Sequence, residues 1–127
     1  LQEANLVIDY RITSLMRKDS LDLTDQDRAV IRKAVEDSTA DQIVITHGTD
    51  TMIDTAKFLA DLPEKTNVFT WAMQPARFRL TDAIFNIASA MMAAQTLPAG
   101  AYIAMNGRVF DPHTSWKNVA LNRFEEI

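Results

Sequence analysis

No cysteine occurs among the 127 residues, and only three are glycine and four proline. Without thiols there can be no disulfide framework, no thiolate nucleophile and no zinc–thiolate site, which fits a cytoplasmic protein. Any catalysis must therefore use oxygen and nitrogen groups. Positive charge is also short: 13 Lys and Arg stand against 17 Asp and Glu, a net charge of −4. A broad phosphate-binding surface needs clustered Lys and Arg that release counterions, so nucleic acid is not an expected partner. Long apolar runs are missing too. The most apolar segment, Ala83 to Ala94 (AIFNIASAMMAA), is interrupted by Asn86 and Ser89, and it falls well short of the roughly 20 residues a bilayer demands. No leader-like segment opens the chain at Leu1, and neither export nor a membrane partner is expected. Repeats, linkers and low-complexity tracts are likewise absent.

What remains is ordinary for a globular fold, with 47% apolar and 24% charged residues. The length predicts a single domain over residues 1–127 with one core. Along the chain, strand-like and helix-like stretches alternate. NLVIDYRIT (Asn5 to Thr13) is rich in β-branched and aromatic residues and predicts a strand. Ala29, Val30, Ala34 and Val35 recur with helical spacing, and Thr24 followed by Asp27 resembles a capping box that starts this helix. QIVIT (Gln42 to Thr46) predicts a strand buried on both faces. A helix is expected from Thr51 to Ala60, stopped by Pro63, then a strand over Asn67 to Ala72 that carries a polar Asn67. Thr81 to Gln95 predicts a third helix, with Met91 and Met92 as core packing, and Ala101 to Asn106 a last strand. Such alternation implies an α/β fold: a doubly wound, Rossmann- or flavodoxin-like parallel sheet with right-handed crossovers and helices on both faces.

In sheets of this kind ligands sit beyond the carboxyl ends of the strands, where loops enter helices. VITHGTDTM (Val44 to Met52) lies at such a place. Gly48 lets the backbone turn out of the strand and approach a ligand, while Thr49, Asp50 and Thr51 occupy the turn into the helix. By residue type alone, Asp50 or Thr51 simply capping the helix explains the same letters. His47 is read as a satisfied loop histidine without a catalytic role, and Arg77 and Arg79 as a solvated loop. Neither a P-loop nor a dinucleotide fingerprint is present.

The stretch ITHGTDTM followed by DTAKFL resembles the second active-site motif of the bacterial L-asparaginase and glutaminase family, which reads HGTDTM-x-E-T-A. AMQP and TDAIFN are similar to that family's GAMRP segment and A-D-G-x-x-N helix start, and MNGRVFDPHTSWK resembles the segment leading to its active-site lysine. DSLDLT (Asp19 to Thr24) is similar to the loop whose serine touches the substrate carboxylate. The resemblance implies hydrolysis of the side-chain amide of a small amino acid, asparagine or glutamine, without metal or cofactor. It places the nucleophile or water activator at Thr49, the proton acceptor at Lys117, and the carboxylate that holds the substrate's α-ammonium at Asp50, with Ser20 and Gly48 offering hydrogen bonds to the substrate. A threonine hydroxyl is a poor nucleophile until a neighbouring base takes its proton, and a lysine can be that base.

The departures define an alternative. Family members open with a T-G-G-T-I segment bearing the usual primary threonine, which the stretch from Leu1 does not contain, and Trp71 and Gln74 replace a glycine and an arginine. The chain is thus read either as an asparaginase-type amidohydrolase or as a noncatalytic relative kept for ligand binding or self-assembly. Phe69, Trp71, Phe78, Phe110 and Trp116, with the apolar helix Ala83 to Ala94, further imply a homodimer or homotetramer, or a larger symmetric assembly.

Overall fold

A computed structural model of the chain describes residue 1, residues 5–73 and residues 81–127. A 3₁₀ turn (Ser20–Asp22) leads into α1 (Asp25–Asp37), followed by β1 (Gln42–Thr46), α2 (Met52–Phe58), β2 (Thr66–Thr70), α3 (Ala83–Thr96) and β3 (Gly100–Met105). Apart from the 3₁₀ turn, each of these elements falls within a few residues of its expected place. The capping box forms: Thr24 Oγ1 accepts from the Asp27 N–H at 3.2 Å, and the Asp27 carboxylate accepts from the Thr24 N–H at 3.0 Å. This reciprocal pair satisfies backbone donors that the first helical turn cannot.

The chain then adds strands the sequence reading did not anticipate. Asn106 and Gly107 both have positive φ, 56° and 79°, as a tight primed hairpin turn requires. They fold β4 (Arg108–Phe110) back antiparallel on β3. A separate antiparallel pair, β5 (Ser115–Asn118) and β6 (Arg123–Glu126), follows. The main sheet has the order β1-β2-β3-β4, parallel across its first three strands. It is an α/β sheet with helices on both faces, mixed through β4 instead of wholly parallel.

Asn5 to Thr13 does not form the expected strand. Strand propensity describes fit to a pleated, half-buried surface more than any backbone preference, and this segment pairs with no member of the sheet. Its apolar side chains gain no cover: Val7 is fully exposed and Ile12 73% exposed.

Two apolar clusters mark the two faces. Phe69, Ile103 and Met105 pack with Ile31 and Val35 of α1, with Met52, Ala56 and Leu59 of α2, and with Phe110 and Phe124 of β4 and β6. Val68 and Ala104, the alternate residues of β2 and β3, face Ala90, Ala93 and Ala94 of α3. Hence α2 and α3 lie on opposite faces while β1, β2 and β3 follow one another in a single direction. Two crossovers with those properties must have opposite hands, so one of them departs from the right-handed rule. A crevice follows from the same geometry, because β1 is followed by a helix on one face and β2 by a helix on the other.

Some expected core and surface positions exchange roles. Met92 is 62% exposed instead of packed, since it lies on the α3 face turned away from the sheet. Phe69 and Phe110 are interior and not available to a partner, whereas Trp71 and Trp116 are exposed. Asn67 is fully buried, and among the described residues neither its amide nitrogen nor its oxygen has a hydrogen-bond partner. Among the described residues no helix is long and apolar enough to cross a membrane.

Candidate active site

The crevice between the carboxyl ends of β1 and β2 is where the motif residues meet. β1 ends at Thr46, whose neighbour His47 donates its backbone N–H to the Thr70 carbonyl at 3.1 Å. This last rung carries the ladder one residue past β1, and the chain then turns through Gly48 into α2. Gly48 does not occupy the left-handed region. The need for glycine there is steric instead: a Cβ would stand 2.8 Å from both Cβ and Oγ of Ser20. The 3₁₀ turn therefore sits directly on the loop, fastened by the Thr51 hydroxyl, which donates to the Ser20 carbonyl at 2.7 Å.

Neither Asp50 nor Thr51 caps α2 through its side chain. Thr51 occupies the capping position without a side-chain cap bond, because its hydroxyl is committed to Ser20. Asp50 turns to Lys117 instead. The Lys117 ammonium donates to Thr49 Oγ1 at 2.8 Å and to Asp50 Oδ1 at 2.6 Å. Lys117 belongs to β5, whose partner β6 is anchored by Phe124 in the α1/α2-side core. The lysine side chain is only 18% exposed, and that of Asp50 43%. One face of the cluster is thus shielded while the carboxylate stays reachable from solvent.

Of the residues singled out from the sequence, the structure brings Thr49, Asp50 and Lys117 into mutual contact and sets Ser20 against Gly48. Ser20 Oγ is buried and has no hydrogen-bond partner among the described residues. Gln74, Arg77, Phe78 and Arg79 lie outside the described residues. Trp71 leaves the sheet at the end of β2, where Thr70 is the register partner of Thr46, with its indole 39% exposed beside the crevice.

Several braces escaped the sequence reading. Asn86 of α3 donates to the Trp71 carbonyl at 2.8 Å and to Asp82 Oδ2 at 3.0 Å, and Asp82 Oδ2 also accepts from the Met73 N–H at 2.9 Å. These bonds tie the start of α3 to the end of β2. The available signal was an asparagine four residues after an aspartate in an otherwise apolar helix. Beneath the Thr49 loop, buried His47 contacts the Gly48 carbonyl through Nδ1 at 2.6 Å and Thr55 Oγ1 through Nε2 at 2.8 Å. Burial, reinforced by the nearby Arg28 charge, pushes the imidazole below its ordinary value, although the Gly48 bond and Asp54 pull the other way. Among the described residues no cluster of three or more His, Asp or Glu is arranged to hold a metal ion.

A threonine, a lysine and an aspartate thus converge at the carboxyl end of an open α/β sheet, with the lysine amine within hydrogen-bond reach of the other two. Comparison with known proteins gives the family. Residues 1–125 match the family model described as "Asparaginase, N-terminal", and the chain belongs to the asparaginase family. A probable periplasmic L-asparaginase of Haemophilus influenzae is 38% identical over 98 residues, covering 71% of this chain and 28% of that protein. The glutaminase-asparaginase of Pseudomonas aeruginosa is 33% identical over 94 residues, 70% of this chain and 26% of its own length. L-asparaginase 2 of Escherichia coli is 40% identical over 77 residues, 56% and 22% respectively. The chain thus spans less than a third of the length of these relatives.

Proposed function

We propose that this chain carries the Thr–Lys–Asp centre of an asparaginase-type amidohydrolase that hydrolyses the side-chain amide of asparagine or glutamine. The observation that carries the reading is Lys117 Nζ lying 2.8 Å from Thr49 Oγ1 and 2.6 Å from Asp50 Oδ1. In the neutral form of Lys117, the 2.8 Å contact runs with its proton reversed, from the threonine hydroxyl to the amine. Thr49 Oγ1 then attacks the amide carbon directly or gives up its place to an activated water. The resulting tetrahedral oxyanion collapses as Lys117 returns the proton to the departing nitrogen, which leaves as ammonia. Water hydrolyses the ester of the acyl-enzyme route, releasing the acid and restoring the hydroxyl. Asp50, half exposed, receives the α-ammonium of the substrate, and the Ser20 hydroxyl, buried against Gly48, reaches its α-carboxylate once the 3₁₀ turn shifts outward.

Ammonia release from asparagine and glutamine by the complete native polypeptide is the test. Thr49→Val keeps the side-chain shape and removes the hydroxyl, so folding should persist while turnover drops by at least about a hundredfold. Unchanged turnover in a folded variant would move the chemistry elsewhere, and no turnover in the native polypeptide would favour the noncatalytic alternative.

The same reading extends to assembly as a homodimer or homotetramer. Trp71 and Trp116 are exposed, and Ile84, Phe85 and Met92 on the uncharged outer side of α3 are 78%, 59% and 62% exposed. Large apolar side chains left open in this way favour a symmetric interface. Sedimentation at micromolar concentration checks it, and a lone 14.3 kDa species would refute it.

A further inference from the structure

Under the Thr49 loop runs a buried hydrogen-bond chain built from α1, α2 and the end of β1. Arg28 of α1, 8% exposed, donates from Nε to Thr55 Oγ1 at 2.9 Å. Thr55 of α2 is wholly buried, and its hydroxyl oxygen lies 2.8 Å from His47 Nε2. His47 Nδ1 in turn lies 2.6 Å from the Gly48 carbonyl oxygen. The direction of every proton follows from chemistry. A carbonyl oxygen only accepts, so Nδ1 carries the hydrogen. A neutral imidazole has a single N–H, which leaves Nε2 as an acceptor. The hydroxyl proton of Thr55 must then point to Nε2, and the guanidinium fills a lone pair of the same oxygen.

One competing state exists. Thr55 could instead donate to the Thr51 carbonyl, 3.4 Å away, and accept from a protonated Nε2. His47 would then be an imidazolium, buried, with the Arg28 guanidinium on the other side of a single hydroxyl. Burial and like charge both oppose that state. Asp54 of α2 is the charge that favours it, while the acid nearest Arg28, Asp25, is occupied with Arg28 itself at 3.3 Å. Phe69, whose ring meets that of His47 edge-on at 6.0 Å, contributes no charge.

The last acceptor of the chain is what matters for the site. In a trans peptide the C=O and the following N–H point in opposite directions. Anchoring the Gly48 carbonyl beneath the loop therefore selects one of the two flips of the Gly48–Thr49 peptide. That flip fixes the backbone from which Thr49 Oγ1 meets Lys117. We propose that Arg28, Thr55 and His47 form a proton-ordered relay that locks this peptide, which makes all three positioning residues for Thr49. The catalytic consequence rests on the amidohydrolase reading, while the relay itself does not.

Nitrogen-15 NMR of the full chain tests the relay directly. The expected result is His47 in the neutral Nδ1–H form at neutral pH, distinguished from His113 by a His113→Gln control. An Nε2–H form or an imidazolium would overturn the proposal. Thr55→Val removes the hydroxyl and Thr55→Ser restores it. In Thr55→Val the Thr49 amide and Lys117 side-chain resonances should shift, and kcat should fall roughly ten- to a hundredfold with a smaller change in KM; Thr55→Ser should recover both. A merely structural hydrogen bond would lower the melting temperature and leave those resonances and kcat, measured well below melting, unchanged. That outcome would sink the relay as a positioning device. Should the native polypeptide hydrolyse no amide, the resonances still decide the relay, and the failure would belong to the amidohydrolase reading alone.

Discussion

Asn67 is the residue most at odds with its surroundings. It precedes Phe69 by two positions on β2 and so shares its face, and its register partners in the ladder are Ile43 and Ala101. Both polar atoms of its amide are buried without a partner among the described residues, and each such group costs of the order of 1 kcal/mol or more. Leucine has the same branched heavy-atom skeleton without the polarity. Asn67→Leu should therefore raise stability by roughly 1–3 kcal/mol in urea unfolding; a loss of stability would show that the amide is paired. At this scale the sequence was legible where residue types sit in one short motif. Thr49 and Asp50 are adjacent letters, and Lys117 was reached through a resemblance carried by the stretch around it. The Arg28–Thr55–His47 chain was not legible, because its members lie on three elements and each is an ordinary residue for its own. Gly48 was correctly singled out, but its reason is the packed Ser20 and not a special backbone angle.

Elements whose signals are local were the most readable. α1 begins where Thr24 and Asp27 say it should, and its start rests on that pair together with the Lys18–Asp27 ion pair at 2.9 Å. Thr24→Ala should cost about 1 kcal/mol, seen as a lower unfolding midpoint with an unchanged denaturant slope; no change would mean that solvent satisfies the Asp27 N–H equally well. β1, β2 and β3 announced themselves as apolar runs between helical patterns. The segment Asn5 to Thr13 carries the same kind of letters yet has no partner strand, and partnership is a property of the whole sheet that no local window contains. The opposite error occurred at β4. Its Asn106–Gly107 turn was present in the sequence as a hairpin signal, but the short flanking strand RVF offered too little alternation to stand out. β5 and β6, four residues each, are also shorter than a typical strand and are held to the core by Phe124, so tertiary packing defines them.

The molecule as a whole should respond to acid in two separate windows. His47 titrates below 6.5 in the folded protein because it is buried. The unfolded chain therefore binds the proton first, and the stabilisation is complete above about pH 6.5 and declines as pH falls below it. Asp27, Asp61, Asp111 and Glu125 are held below ordinary carboxylate values, chiefly by hydrogen bonds from Lys18, Arg32, the His113 backbone and Arg123 respectively. Their contributions stay complete until the pH drops to about 4.5, the ordinary value for Glu. Between about pH 7.5 and 5.5 the melting temperature should thus fall through His47, and His47→Gln should flatten the slope in that interval. An unaltered slope would assign the decline to another group.

The contact between Lys117 and Thr49 joins positions 68 apart in the chain. During synthesis the ribosome releases β1, α2, β2, α3 and β3 before the amine that completes the cluster emerges. The nascent protein can therefore bring these elements together while Thr49 and Asp50 still wait for Lys117 and the α1/α2-side cluster still waits for Phe124. A protease cut in the 111–114 connection before β5 would free Lys117 and the buried anchor Phe124 together, so the Thr49 cluster and the packing beside α1 and α2 should loosen as one.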